Sequence, residues 1–498
     1  MRRVLWLPRS AVISLLAFRY GSFLVVFVAG CRGTDLVESP VSPLRIVSAE
    51  VSANPNNVLS AVVIFTAEQA ESARVVFQHE NVGLDSTPYV AVTGGTDTIV
   101  TLGLHASTTY QNLLQVKSAG GETASDTLTF TTGPLPDLLN RVTISTSASG
   151  GSGLTLTSVQ VGGNAVFALA FDSGGTIRWY RQFEEVKRVG GELKQQPNGR
   201  FTLYRGASTG SQAVPGHYVE FTPAGDSVRS IAVSPPRYLD NHELWITTAP
   251  DGQERFHFFT YDRRVSDLTP IGGGPEVSLA GHQLVRLRSD GSTEFEWNAW
   301  DHLGLDEWIE PPRPDPASTT DSDFDHPNSL GFDRDGNYIV SFRNTAQVMK
   351  IDAETGRVIW RLGGRRNEFT IIGDPLGGFS AQHSARILSN SNLLVYDNGT
   401  SHVPPETRAV EYALDLAQMT ATMVWEFRHV PAIYTSAVGL VQRLHNGNTL
   451  IAYGWVGHAT EVGPDGIPKW EVDLSVDGEP ALVYRMVRIR SLYQYLEP

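Results

Sequence analysis

Asp323-Phe324-Asp325-His326-Pro327-Asn328-Ser329 opens a stretch that runs to Gly399, and its reading decides the fold. It continues through Asp335-Gly336-Asn337, a strand ending at Phe342-Arg343, and Val358-Ile359-Trp360-Arg361-Leu362-Gly363-Gly364. It then passes Phe379-Ser380-Ala381-Gln382-His383-Ser384-Ala385-Arg386 and closes on Tyr396-Asp397-Asn398-Gly399. Short apolar runs between Asp-Gly and Gly-Gly turns are the pattern of antiparallel strands, because Asn and Gly supply the positive φ angles of a tight hairpin. Two histidines and an arginine recur at the strand edges, which points to one polar site in a β-rich domain.

Outward from this stretch the same unit repeats. Hairpin signals stand at Gly162-Gly163-Asn164, Pro197-Asn198-Gly199, Pro250-Asp251-Gly252, Asp335-Gly336-Asn337, Ser389-Asn390-Ser391 and Asn446-Gly447-Asn448. Asn198, Asp251, Asp335, Asn390 and Asn446 are spaced 53, 84, 55 and 56 residues apart, and the long step holds a Pro/Asp-rich insertion, Glu310 to Asp325. Trp179, Trp297, Trp360, Trp425 and Trp470 mark a second recurring position. A four-stranded unit at this period is the signature of a β-propeller, with large apolar residues packed between blades. Six anchors predict six blades over 135–498; a seventh is the alternative if the insertion holds one.

Residues 44–133 read differently. Alternating strands are expected at Arg45–Val51, Ser60–Phe65, Ala73–Phe77, Thr98–Leu102, Tyr110–Lys117 and Asp126–Phe130. That is a small β-sandwich. Leu104, Thr108 and Tyr110 have the spacing of a tyrosine corner, and the segment resembles a fibronectin type III-like domain. It carries no catalytic constellation, so a spacer or docking role is expected. The fold class is therefore all-β: a six-bladed propeller preceded by a small sandwich.

The composition agrees. The 498 residues exceed one ordinary core, and 47 Gly with 28 Pro favour many short strands. A formal charge of −14 without Lys/Arg clusters argues against a nucleic-acid partner. The lone cysteine, Cys31, excludes a disulfide within the chain. Arg2, Arg3 and Arg9 precede an apolar run ending in Val28-Ala29-Gly30-Cys31. This is the form of an export signal over 1–31 and resembles a bacterial lipobox, with Cys31 as the lipidation site and 32–43 as a tether. The expectation is an exported protein, lipid-anchored to the cell envelope at the periplasm or the cell surface, with the outer membrane favoured.

Asp333-Arg334-Asp335-Gly336-Asn337 partly resembles a calcium loop, but Asn344 stands where the bidentate acid belongs, so a hairpin is expected. Of 13 histidines, His242, His326, His383 and His445 have matched settings beside strands. A ring would bring them together, where three imidazoles could bind zinc. Arg343 in the same pocket disfavours a dication and suits an anion, since its fork matches sulfate or phosphate oxygens. No metal and no cofactor are expected.

Asp325-His326-Pro327-Asn328-Ser329, Ser341-Phe342-Arg343, Trp360-Arg361-Leu362-Gly363-Gly364, Gln382-His383-Ser384-Ala385-Arg386 and Tyr396-Asp397-Asn398-Gly399, in that order, resemble the core signature of the bacterial arylsulfotransferases. Asn241-His242-Glu243 resembles the family's first histidine motif. The resemblance implies a six-bladed propeller with an N-terminal sandwich, and sulfuryl transfer from an aryl sulfate donor to a phenolic acceptor without a nucleotide sulfate donor. It implies that His383 is the nucleophile, transiently sulfurylated, and that His242, His326 and Arg343 share its pocket. His326, Arg343 and Asn328 would bind substrate. Ser384 departs from the family's acid, Asn344 stands where many relatives have His, and His445 and His458 read as structural. Two other readings stay open at this point: a tethered propeller that binds a carbohydrate or protein without catalysis, and a metal-dependent hydrolase or lyase.

Overall fold

The computed structural model describes residues 43–493 apart from 80–82, 148–150, 152, 164, 185–190, 207–215, 235–236 and 310–321. The expected signal, Cys31, nearly all of the tether and most of the insertion lie outside the described residues. Leu44–Pro498 forms one compact unit. It is all-β, with only short 3-10 turns between strands, and no described helix is long and apolar enough to cross a membrane.

Two sheets, of three and six strands, cover the first part of this unit. Strand Ala61–Glu68 alternates buried and half-buried side chains, as a strand with one face in a core must. Ala61, Val63, Phe65, Val75, Phe77, Leu114 and Tyr110 fill the space between the sheets. The Tyr110 hydroxyl accepts the His105 N–H at 2.9 Å. These sheets are tied to the later ones: Asn57 Nδ2 donates to Tyr180 O at 2.9 Å, Arg178 Nε to Gly103 O at 2.7 Å, and Leu102 N to the Tyr493 hydroxyl at 2.8 Å.

Six further sheets follow, five containing four successive antiparallel strands and the first containing three successive strands plus Met486–Ile489 from the far end of the chain. In every one, a quoted hairpin signal joins the first two meander strands. Gly336, at φ 80°, turns Pro327–Phe332 into Tyr338–Phe342. The acids of that turn are taken by Lys350, whose Nζ lies 2.6 Å from both Asp333 and Asp335, so it is a hairpin with an internal cation. The five tryptophans all lie on the last meander strand of their sheet. Trp179, Trp297, Trp360 and Trp470 are buried.

The chain ends interlock. Val142–Thr146 pairs with Pro468–Val476, and Met486–Ile489 pairs with Leu154–Val161. Both pairings cover backbone edges that would otherwise offer unpaired N–H and C=O groups.

Candidate active site

His242, His326 and His383 stand at the irregular beginnings of the first strands of three consecutive sheets. Strand register slips between Leu239 and Leu244, between Pro327 and Ser329, and between His383 and Arg386. His326, Ala381 and Ser384 hold φ values of 50°, 50° and 53°. A non-glycine residue in this left-handed region costs on the order of 1 kcal/mol, and such strain persists where surrounding bonds over-determine it. Here they do. Gln382 Nε2 donates to Ser341 Oγ, Phe342 O and Gln347 O at 3.0–3.1 Å, while Gln382 O accepts Asn328 Nδ2 at 2.7 Å.

The three imidazoles come together. Ring centroids of His242 and His326 lie 4.7 Å apart, and those of His326 and His383 lie 6.4 Å apart. Arg343 joins them. Its guanidinium donates to Asn344 Oδ1 at 2.8 Å and Ser436 O at 3.0 Å, and its charge acts on both His326 and His383. His383 is 1% exposed, whereas the side chains of His242 and His326 are 12% and 24% exposed. His383 is thus the most deeply buried of the three.

Each ring is oriented by a partner. His383 Nδ1 lies 2.7 Å from Asn398 Oδ1. The Asn398 amide is itself fixed, because Nδ2 donates to Thr435 O at 2.8 Å and Val438 O at 3.2 Å. Nδ1–H is therefore the donor and Nε2 keeps its lone pair, which accepts the Val438 N–H at 3.2 Å. Burial first, then the charges on Arg343 and the neighbouring histidines, hold the His383 pKa well below the imidazole range. His383 is a neutral base with a defined tautomer. His242 Nδ1 is 2.6 Å from Asp240 Oδ1, and His326 Nδ1 bonds Asp323, which leaves the Nε2 atoms for substrate.

Beneath these aspartates lies His282, 2% exposed, with Nδ1 2.5 Å from Asp325 Oδ1 and Nε2 3.8 Å from Asp240 Oδ2. His282, Asp323 and Asp325 are close enough to ligate a metal, and the His282–Asp325 contact is a buried ion pair when His282 is protonated. Burial pushes the His282 pKa down. Asp325, Asp323 and Asp240 outweigh it and raise the value to about 9. Unfolded, the group titrates near 6.5, so its stabilisation is fully present below that pH and is lost as pH rises through about 9. The difference corresponds to about 3 kcal/mol. Urea unfolding between pH 6 and 10 is expected to show this alkaline loss in the natural chain and a flatter profile in His282→Gln. Parallel profiles would show that His282 is not the group involved.

The arylsulfotransferase (ASST) family model matches residues 139–477, about two thirds of the chain. The chain belongs to the arylsulfotransferase family. Membership supports an arylsulfotransferase-like function, with aryl sulfates and phenols as the implied substrates. No curated protein matches the chain. Solved structures similar to it include a protein of unknown function from Bacteroides caccae, 13% identical with a TM-score of 0.39, covering 68% of this chain and 100% of that one. A catalytically inactive virginiamycin B lyase from Staphylococcus aureus with quinupristin is 10% identical with a TM-score of 0.34, covering 68% and 98%. A Synechocystis apocarotenoid oxygenase mutant is 10% identical with a TM-score of 0.33, covering 66% and 80%.

The structure brings His242, His326, Arg343 and His383 together. Asn328 is fully buried, and its amide braces the segment before His383. Ser384 is buried as well, and its hydroxyl bonds the Val441 backbone at 3.2–3.3 Å in the next sheet. His445 lies exposed in the hairpin at the opposite end of its strand. Sequence reasoning assigned no role to Asn398, Asp240, Asp323, His282 or Val438. Asn398 lay in a quoted motif, and Asp240 and Asp323 sit two and three residues before their histidines; His282 and Val438 carry no local signal.

Proposed function

We propose that this chain is an exported aryl sulfate sulfotransferase that moves a sulfuryl group between phenolic compounds through a sulfohistidine at His383. The carrying observation is a neutral His383 with Nδ1 held by Asn398, beside Arg343 and two further imidazoles, in a member of this family.

The chemistry balances. His383 Nε2 attacks sulfur as the Val438 N–H yields to it, an N–S bond forms and the S–O bond to the aryl group breaks. The leaving phenolate takes its electron pair and receives the Nε2 proton of His242 or His326, whichever enters the step as the imidazolium. Arg343 stabilises charge on the sulfuryl oxygens. An acceptor phenol then returns a proton to that imidazole, its oxygen attacks sulfur, and the N–S bond breaks with its pair returning to Nε2.

The six later sheets are read as blades of a six-bladed propeller and the first two as a fibronectin type III-like sandwich. In support, successive sheets lie against one another in chain order, at four of the junctions through their first strands, and both chain ends complete sheets begun elsewhere. Export and anchoring at Cys31 in the cell envelope are proposed from Arg2, Arg3, Arg9 and the run to Val28-Ala29-Gly30-Cys31. The test is transfer from a chromogenic aryl sulfate to an added phenol, with mass spectrometry of the protein after brief exposure to donor alone. A sulfuryl adduct on His383 is expected. Absence of transfer across a panel of donors and acceptors would defeat the proposal.

A further inference from the structure

His429, His458 and Glu471 form a second cluster, separate from the histidines above. His429 follows the strand Thr420–Phe427, while His458 and Glu471 come from adjacent strands of the next sheet. One ligand-type atom from each lies within 4.8 Å of the others. The two rings stand 5.0 Å apart at 83°.

The hydrogen bonds at His429 leave a conflict. Nδ1 is 2.7 Å from Pro431 O. A carbonyl only accepts, so Nδ1 carries the proton and Nε2 of the neutral ring has a lone pair. That lone pair faces Glu471 Oε1 at 3.0 Å, a second acceptor. Something positive has to lie between them. A proton would serve this one pair. It would leave Tyr453 unexplained: the side chain is fully buried, and its hydroxyl has no hydrogen-bond partner among the described residues. Its ring lies 5.9 Å from His429 and 5.7 Å from His458.

We infer that His429, His458 and Glu471 bind a divalent transition cation of the zinc type, with a fourth position for a water that accepts the Tyr453 hydroxyl. Two imidazoles and a carboxylate are a zinc donor set, and bonds of about 2.0–2.1 Å place tetrahedral donors about 3.4 Å apart. His429 Nε2 and Glu471 Oε1 are 3.0 Å apart and the three donor atoms all lie within 4.8 Å of one another, so the set brackets that spacing. The second ring nitrogen of His429 is already on a carbonyl, and His458 Nδ1 lies 2.8 Å from Asp473 Oδ1, while His458 Nε2, the nitrogen left to ligate, would exchange its 3.0 Å bond to the Thr460 hydroxyl for the cation. Such outer contacts orient ligating histidines. His458, which the sequence marks as structural, then becomes a ligand.

The place of the cluster gives it a role. The residues after His429 lead to Thr435, Ser436 and Val438, whose backbone holds Asn398, Arg343 and His383. A cation at His429 anchors the start of that loop. The site does not depend on the reaction proposed above.

The test uses the full-length protein, stripped with a chelator, incubated with zinc ion alone and desalted. Elemental analysis is expected to find one zinc per chain, with at least about tenfold weaker binding in His429→Ala and in Glu471→Gln. Unfolding temperature is expected to rise with zinc in the natural chain and not in these variants. Cobalt(II) should give visible d–d bands that the same variants lose. His242→Ala is the control for binding at the transfer site and is expected to retain the zinc. Failure of the natural chain to hold stoichiometric zinc, equal zinc in both variants, or loss of zinc in His242→Ala would overturn the assignment. Glu471→Gln changes little volume, so it keeps the test decisive if His429→Ala folds poorly.

Discussion

Replacing His383 with alanine is expected to lower aryl sulfate turnover by about ten-thousandfold or more and to remove the sulfuryl adduct from the protein. The size follows from its position. His383 combines a tautomer fixed by the neutral Asn398 amide, a pKa held well below the imidazole range and the nearby Arg343 charge. His242 and His326 have Nδ1 tied to carboxylates, which favours proton transfer over nucleophilic attack at sulfur. The support around His383 makes a graded version of the same prediction. Asn398→Leu keeps the nucleophile but removes the acceptor for Nδ1–H, so kcat is expected to fall by about a hundredfold. Asn398→Asp restores an acceptor and adds a negative charge, which raises the His383 pKa. His383 must be deprotonated to attack, so the acidic limb of the kcat/KM profile moves to higher pH in that variant. Rate–pH profiles with a single donor and acceptor read both effects. Turnover of His383→Ala at the natural rate would transfer the nucleophile role elsewhere.

How much of this was legible in the sequence depended on how local the cause was. The turn at Asp335-Gly336-Asn337 is a statement about φ, and Gly336 obeys it whatever surrounds the hairpin. Tryptophans are too large to be placed at random in a repeated unit, and all five lie on the last meander strand of a sheet. The gathering of His242, His326 and His383 was readable because their motifs precede equivalent strands. His445 looked alike but follows its strand, which turns it to the other end. Asn328 was expected at the substrate from the family resemblance. Strand alternation and a register slip instead bury it against Gln382. His282 and Val438 were beyond reach. One comes from the middle of a strand and the other from a loop between sheets, and only three-dimensional packing brings them to the histidines.

The largest effect on stability is expected at Arg408, a residue with no catalytic chemistry. Its guanidinium is fully buried. Nε donates to Asp397 Oδ2 at 2.9 Å, and the two terminal nitrogens fork onto Asp374 at 2.9 and 2.8 Å. They also reach Glu426 Oε2 at 3.0 Å and Gly378 O at 2.7 Å. Asp374 and Asp397 are themselves fully buried. A buried ion pair is often no better than apolar packing, because desolvation offsets attraction, but removing one partner strands the other. Arg408→Met strands two carboxylates and is expected to cost about 3–5 kcal/mol, read as a lower urea midpoint. Arg408→Lys keeps the charge but cannot fork, and should recover only part of the loss. The effect reaches the site as well. Asp397 Oδ1 accepts the Ser380 N–H at 3.0 Å, and Asp397 lies beside Asn398, so freeing it loosens both the segment before His383 and the acceptor for its Nδ1. A fall in kcat is therefore expected even where Arg408→Met is fully folded. If that variant unfolded at the natural midpoint, the stranded-charge account would be wrong; if it were stable but slow, the support of Ser380 and Asn398 would stand alone as the role of Arg408.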